Sequence, residues 1–274
     1  MHPVLIDLGP FSLHSYGLAM AVAFALGIWI ASRRAEARGF GSKFALDISI
    51  LILIFSLLGA RFTYVVTHLE EFKDYPLDTI SPIQHTGKIG IEGLVLLGGV
   101  AAAFLTVYIY ARRKGHKFLA VTDLLIPSLA LGIAIGRIGC FFNGCCFGLP
   151  TSLPWGVHFP HNSLAGYVFP DQCVHPTQMY EVFYALLIFT GLMIYDRPPK
   201  PMGRVTGIFL TAYGIARFLN EGLRWYEHEM VIMQTVGFRM TFSQIISLLM
   251  ILSGVALILA SAVRKSPSNA EQQP

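Results

Sequence analysis

Charge is scarce in this chain: 13% of its 274 residues are Asp, Glu, Lys or Arg, while 54% are hydrophobic, and the mean hydropathy is +0.59. That balance excludes an ordinary soluble domain. Cysteine is scarce too. The four present, Cys140, Cys145, Cys146 and Cys173, fit no standard metal-ligand spacing, which argues against a zinc site on Cys173 and His175. No nucleic-acid-binding motif is present, and the net charge of +4 is explained by basic loops, so no nucleic-acid partner is expected. A repeat of fixed period is also lacking, and the inverted half-repeats of many transporters are not evident.

What the chain has instead is long apolar runs. Crossing a hydrocarbon core of about 30 Å takes roughly 20 residues. Seven runs qualify, at about 13–31, 45–66, 93–111, 118–139, 178–195, 204–224 and 242–263. The expected fold class is an all-α polytopic membrane protein with seven transmembrane helices. Alternate loops carry thirteen Lys and Arg against four, Lys73, Lys88, Arg224 and Arg239, in the opposite set. The richer set belongs in the cytoplasm, which puts the N-terminus outside and the C-terminus inside. In the first run the positive charges follow the apolar stretch, so it reads as a retained helix and not a signal peptide. The expected organisation is a transmembrane domain over 1–265, with an external arm at about 67–92 and a small extracytoplasmic subdomain at about 140–177. A disordered cytoplasmic tail is expected at 266–274.

Three arginines, Arg61, Arg137 and Arg217, fall inside apolar runs, where a guanidinium is costly unless an anion meets it or it snorkels to the headgroups. In the sixth run Thr206, Tyr213, Arg217, Asn220, Glu221 and Arg224 share one stripe of about 100°. This stripe is either a polar packing seam, with Arg217 and Glu221 neutralising each other at i,i+4, or the wall of a site. Depth favours a site. Arg137, Arg61, Arg217, His14, Tyr16, Tyr180 and Glu181 all lie toward the external ends of their runs, as suits a cavity holding a lipid phosphate. Gly132 and Gly136, spaced i,i+4, and Gly98-Gly99 are expected to let other helices approach closely.

Five motifs then occur in order: His14-Ser15-Tyr16-Gly17; Gly59-Ala60-Arg61 with Tyr64; Gly136-Arg137-Ile138-Gly139 followed by Asn143-Gly144 and Gly148; His175-Pro176-Thr177-Gln178-Met179-Tyr180-Glu181; and Tyr213-Gly214 with Arg217, Glu221 and Arg224, then Met240-Thr241 with Gln244. With them the chain resembles bacterial prolipoprotein diacylglyceryl transferases essentially end to end. The resemblance implies transfer of the sn-1,2-diacylglyceryl group of phosphatidylglycerol to the lipobox cysteine thiol of signal-peptide-bearing prolipoproteins, giving a thioether and sn-glycerol 1-phosphate. It implies a bacterial plasma (inner) membrane enzyme with its site toward the external, periplasmic side and no metal or other cofactor. Cations suit this chemistry, because they bind phosphate and favour thiolate over thiol.

By motif position Arg137 is similar to the family's phosphatidylglycerol-binding arginine and Arg217 to its second essential arginine, while Tyr16 and Asn143 match positions important at its site. Together with the stripe, this makes Arg217, Tyr16, Glu221 and Tyr213 the expected catalytic residues. Arg137, Asn143, Gly148, His14 and Arg224 are the expected phosphatidylglycerol-binding residues. Two departures stand out. Leu97 occupies a position often held by His or Tyr, so no base acts there. Cys140 and Cys145 replace an asparagine and a glutamate common in the signature. With His14, Tyr16, His175, Glu181 and Glu221 as candidates, the expectation is that no single residue is a dedicated base and that water or Tyr16 relays the proton. The cysteines read as a bridge from Cys145 or Cys146 to Cys173, or as small apolar filler. The competing function is a phospholipid or anion transporter, which should carry polar residues through the full depth of its helices.

Overall fold

A computed structural model describes residues 4–7, 12–72, 79, 93–198, 200–226, 231–235 and 238–263. The tail at 266–274 and most of the arm at 67–92 lie outside the described residues. The helices are α1 (Ser15–Ala37), α2 (Ser42–Thr67), α3 (Leu96–Arg113), α4 (Phe118–Asn143), the short α5 (Leu164–Val168), α6 (Thr177–Tyr195), α7 (Arg204–Glu221) and α8 (Phe242–Val263). All seven expected runs are helical. Five of the helices, α1, α2, α4, α6 and α8, are long and apolar enough to cross a membrane. The other two carry more charge: α3 closes on Arg112 and Arg113, and α7 contains Arg204, Arg217 and Glu221. The protein is mostly helical and not all-α, since β1 (Val4–Asp7) with β2 (Ser12–His14), β3 (Val157–His158) with β4 (Cys173–Val174), and β5 (Val231–Thr235) with β6 (Phe238–Thr241) form three two-stranded sheets.

The chain divides into two compact units. One comprises Leu13–Trp29 and the chain from Thr122 onward. In it α7 lies along α8 and against α6. Glycines permit the closeness, because a Cβ on Gly254 would sit 2.7 Å from the Gly207 carbonyl oxygen. Ile126 and Ala130 of α4, Leu192 of α6, and Val205 and Phe209 of α7 form a buried apolar cluster. Phe147, Phe159, Ala165 and Val174 form another in the connection between α4 and α6.

The start of α7 is capped from a distance. Its N-cap residue is Gly203, which has no side chain to offer. Asp123 of α4 accepts instead from the Gly203 N–H (2.6 Å), the Thr206 N–H (2.7 Å) and the Thr206 hydroxyl (2.6 Å). These are the same orphan amides, N-cap and N3, that a local capping box would satisfy. Asp123 is buried, and its charge sits at the positive end of the α7 dipole.

The expected approach at Gly132 and Gly136 is not observed. A Cβ at Gly132 would meet nothing within 4 Å, and one at Gly136 would meet the Met20 sulfur at 3.6 Å. Close approach occurs one turn further along the same stripe, at Gly139, where a Cβ would lie 2.9 Å from Ala19 Cβ of α1. Small residues permit contact anywhere on their stripe, and the path of the neighbouring helix selects the level.

The second unit, Ile30–Val121, is built on α2 packed along α3. Here Gly98 performs as expected: a Cβ would collide with the Thr63 hydroxyl and lie 2.6 Å from the Gly59 carbonyl oxygen. Arg61 belongs to this unit, where its guanidinium donates to the carbonyls of Thr79 (3.1 Å) and Gly93 (3.3 Å) and lies over the Phe72 ring at 5.1 Å.

Candidate active site

The first unit gathers charge where the end of α4, the start of α6 and the last turns of α7 meet. Glu181, 1% exposed, is the hub. Its Oε2 meets Arg137 Nε at 3.0 Å and Arg217 Nη1 at 2.8 Å, and its Oε1 accepts from the Tyr213 hydroxyl at 2.7 Å. Arg217 extends the chain of charge, with Nη2 3.0 Å from Glu221 Oε2. Arg224 Nη1 approaches the same oxygen at 3.8 Å, and the Thr241 hydroxyl donates to Glu221 Oε1 at 3.2 Å. Among the described residues three guanidiniums thus face two carboxylates, an excess of one positive charge. The two arginines are engaged differently. Arg217 uses both terminal nitrogens on glutamates, whereas Arg137 meets Glu181 through Nε. Among the described residues the Arg137 terminal nitrogens have no protein partner, and this side chain keeps 21% of its surface exposed.

Backbone and amide contacts hold these helices in register. Asn220 donates to the Thr177 carbonyl at 3.0 Å, joining α7 to the first residue of α6. Gln178 and Thr177 donate to the carbonyls of Cys145 and Cys146, each at 2.7 Å, joining α6 to the turn after α4. The segments after α4 and α7 are stitched together: Leu149 N–H to Leu223 O at 2.9 Å, Trp225 N–H to Phe147 O at 3.1 Å, and the rings of Phe147 and Trp225 stacked at 5.4 Å.

The structure therefore brings together Arg137, Arg217, Glu221, Tyr213 and Arg224 of the expected set. Tyr16, at the second position of α1, lies within electrostatic reach of Arg137 and of the cysteines that follow it. Asn143 is exposed at the last position of α4, with its side chain beside the Cys145 thiol. Gly148 has a packing role, because a Cβ there would lie 2.6 Å from His175 Cβ and 2.7 Å from the Leu223 carbonyl oxygen. His14 is exposed at the end of β2. Thr206, on the same stripe as Arg217, belongs to the Asp123 cap and not to this cluster. His175 is engaged by the Tyr180 hydroxyl at 3.1 Å, which also accepts from Trp155 Nε1 at 2.9 Å.

The cysteine bridge to Cys173 is not formed. All four cysteines are free; Cys173 is exposed on β4, while Cys145 and Cys146 converge on Cys140. The Cys140 and Cys145 thiols hold Cys146 well below the ordinary thiol range, with Arg224 and Arg137 acting in the same sense against burial. Burial pushes the Tyr226 hydroxyl up to about 12, with Arg224 opposing the shift.

Sequence reasoning left Glu181 among possible bases and did not see it as the hub. Its signal was the position in the His175–Glu181 motif at the mouth of α6, but its partners come from two other helices. Chemically the cluster can bind one anion beside Arg137 while Arg217 stays pinned.

The family model described as "Prolipoprotein diacylglyceryl transferase" matches residues 3–260. The phosphatidylglycerol–prolipoprotein diacylglyceryl transferase of Clostridium tetani is 30% identical over 266 residues, covering 97% of this chain and 100% of that protein. The protein of the same name from Cupriavidus pinatubonensis is 31% identical over 279 residues, covering 99% and 95%. That of Synechococcus elongatus is 36% identical over 228 residues, covering 81% and 76%. Matched over nearly its whole length, the chain belongs to the prolipoprotein diacylglyceryl transferase family.

Proposed function

We propose that the chain transfers the diacylglyceryl group of phosphatidylglycerol to the lipobox cysteine of prolipoproteins, the first step of lipoprotein maturation. The observation that carries this reading is the single excess positive charge among the described residues, with Arg137 as its open member. A phosphodiester brings one negative charge, and the Arg137 terminal nitrogens offer it a bidentate donor pair. The substrate thiol loses its proton to water, directly or by way of Tyr16, and its sulfur bonds to the glycerol carbon. The carbon–oxygen bond to phosphate breaks, and sn-glycerol 1-phosphate leaves with the electron pair. Arg137 stabilises the charge gathering on that leaving group. Arg217 positions the Glu181 carboxylate, which in turn orients Arg137 through Nε. Tyr213 fixes the other carboxylate oxygen of Glu181, and Glu221 holds Arg217 and Arg224.

The same reading gives seven transmembrane helices, N-terminus outside and C-terminus cytoplasmic, supported by thirteen basic residues against four in alternate loops. The cluster then faces the external side of a bacterial plasma membrane, where exported prolipoproteins arrive. The connection at about 140–177 forms the extracytoplasmic subdomain over it. Purified protein incubated with phosphatidylglycerol and a lipobox peptide tests the proposal. The expected product is a peptide heavier by one diacylglyceryl group on cysteine. An unmodified peptide, or vesicles whose lipid is moved across the membrane without peptide modification, overturns it.

A further inference from the structure

The thiols of Cys140, Cys145 and Cys146 all lie within 4.8 Å of one another. In a tetrahedral zinc thiolate with Zn–S near 2.3 Å, sulfurs stand about 3.8 Å apart. Closing the trio onto an ion therefore takes shifts of roughly 1 Å, within reach of small rotamer adjustments.

The turn that presents the thiols is built rather than incidental. Cys140 lies in the last turn of α4, Gly144 (φ 70°) turns the chain back, and Cys146 itself holds a left-handed backbone at φ 63°. A non-glycine residue in that region is strained and persists where its surroundings over-determine it. Here they do, since the carbonyls of Cys145 and Cys146 are each clamped by α6 at 2.7 Å, from Gln178 and Thr177.

A disulfide suits the trio poorly. The adjacent pair Cys145 and Cys146 has Cα atoms about 3.8 Å apart, below the usual disulfide range. Any pairing within the trio leaves an odd thiol. Charge favours a divalent ion over a monovalent one, because three thiolates with a divalent cation leave one negative charge and with a monovalent one leave two.

We propose that Cys140, Cys145 and Cys146 bind one divalent thiophilic cation of the zinc class as a tris-thiolate. Among the described residues no other His, Cys, Asp or Glu joins the group, so the fourth position is open to water or an incoming ligand. The site ties the end of α4 to the turn clamped by α6.

The test uses the full chain, purified in detergent, reduced and stripped with a chelator, then titrated with Co2+ and afterwards with Zn2+. One equivalent of Co2+ should produce sulfur-to-cobalt charge-transfer absorption, which one equivalent of Zn2+ removes. The absorption should vanish in the combined Cys140→Ser, Cys145→Ser, Cys146→Ser variant and persist in Cys173→Ser. Each single serine should weaken binding by more than the ~10–100-fold that loss of an outer-shell partner costs. A second measurement needs no variant: Zn2+ should slow alkylation of the trio by at least about tenfold, with Cys173 unaffected, as read by peptide mass spectrometry. A folded wild-type protein without the absorption, binding that survives in the combined variant, unprotected thiols, or a Cys140 disulfide in protein isolated without reductant would each overturn the site.

Discussion

The two ends of α7 carry buried polar groups of opposite character. At its start Asp123 takes three hydrogen bonds from Gly203 and Thr206 at one helix terminus. At its end Arg217, Glu221 and Arg224 meet Arg137 and Glu181, and positive charge remains in excess. Both ends interrupt an apolar bundle, so polarity alone does not separate structure from chemistry. What separates them is closure: the first end satisfies backbone amides that would otherwise be orphaned, while the second holds donors in readiness for an anion.

Substitutions at each end sharpen that contrast. The largest effect is expected at Arg217→Ala, which leaves Glu181 and Glu221 short of a partner. Breaking such a buried pair costs about 3–5 kcal/mol, so thermal unfolding in detergent should drop sharply and transfer should be lost with it. Next comes Arg137→Lys, which keeps the charge but not the fork. The transfer rate should fall by about 10²–10³-fold, the scale of losing a preorganised donor at a developing anion, with the unfolding temperature nearly unchanged. Near-normal turnover in this variant would remove the distinction between pinned and open arginines.

At the other end Asp123→Ala should cost about 2 kcal/mol of stability, at the upper limit for a cap, with transfer per folded molecule retained. Loss of transfer in a folded Asp123→Ala protein would show that the two ends are coupled. The smallest effect is expected at Thr206→Val, which removes a side-chain donor to Asp123 and keeps the backbone ones. A loss of about 1 kcal/mol and unchanged transfer are expected, measured beside Arg217→Ala at matched folded protein.

Much of this was legible from helical periodicity, which puts Tyr213, Arg217 and Glu221 on one face of α7 whatever the tertiary fold. The same periodicity puts Thr206 on that face, and its place in the first turn of α7, far along the helix from Arg217, separates it from the cluster. Glu181 was visible only as a titratable residue at the start of α6, since its importance lies in contacts to α4 and α7 that no single-helix pattern encodes. The Asp123 cap was not legible, because a cap supplied from about eighty positions earlier leaves no local signature beside Gly203. Gly132 and Gly136 had the right spacing on the right stripe, and the path of α1 decided the level of contact. The cysteines failed by spacing rules because a backbone reversal, not a regular interval, brings Cys140 to Cys145 and Cys146.

The stitched segments after α4 and α7 have a consequence for the cost of catalysis. Arg137 and Arg217 repel each other, yet their helices are held by the bonds of Leu149 to Leu223 and Trp225 to Phe147 and by the Phe147–Trp225 stack. Their separation is therefore set by backbone as well as by the Glu181 carboxylate that lies between them. The work of bringing like charges together is done once, during folding, and is stored as preorganisation. An arriving phosphate relieves repulsion that already exists and orders little that was loose, so more of its binding energy is available to the transition state.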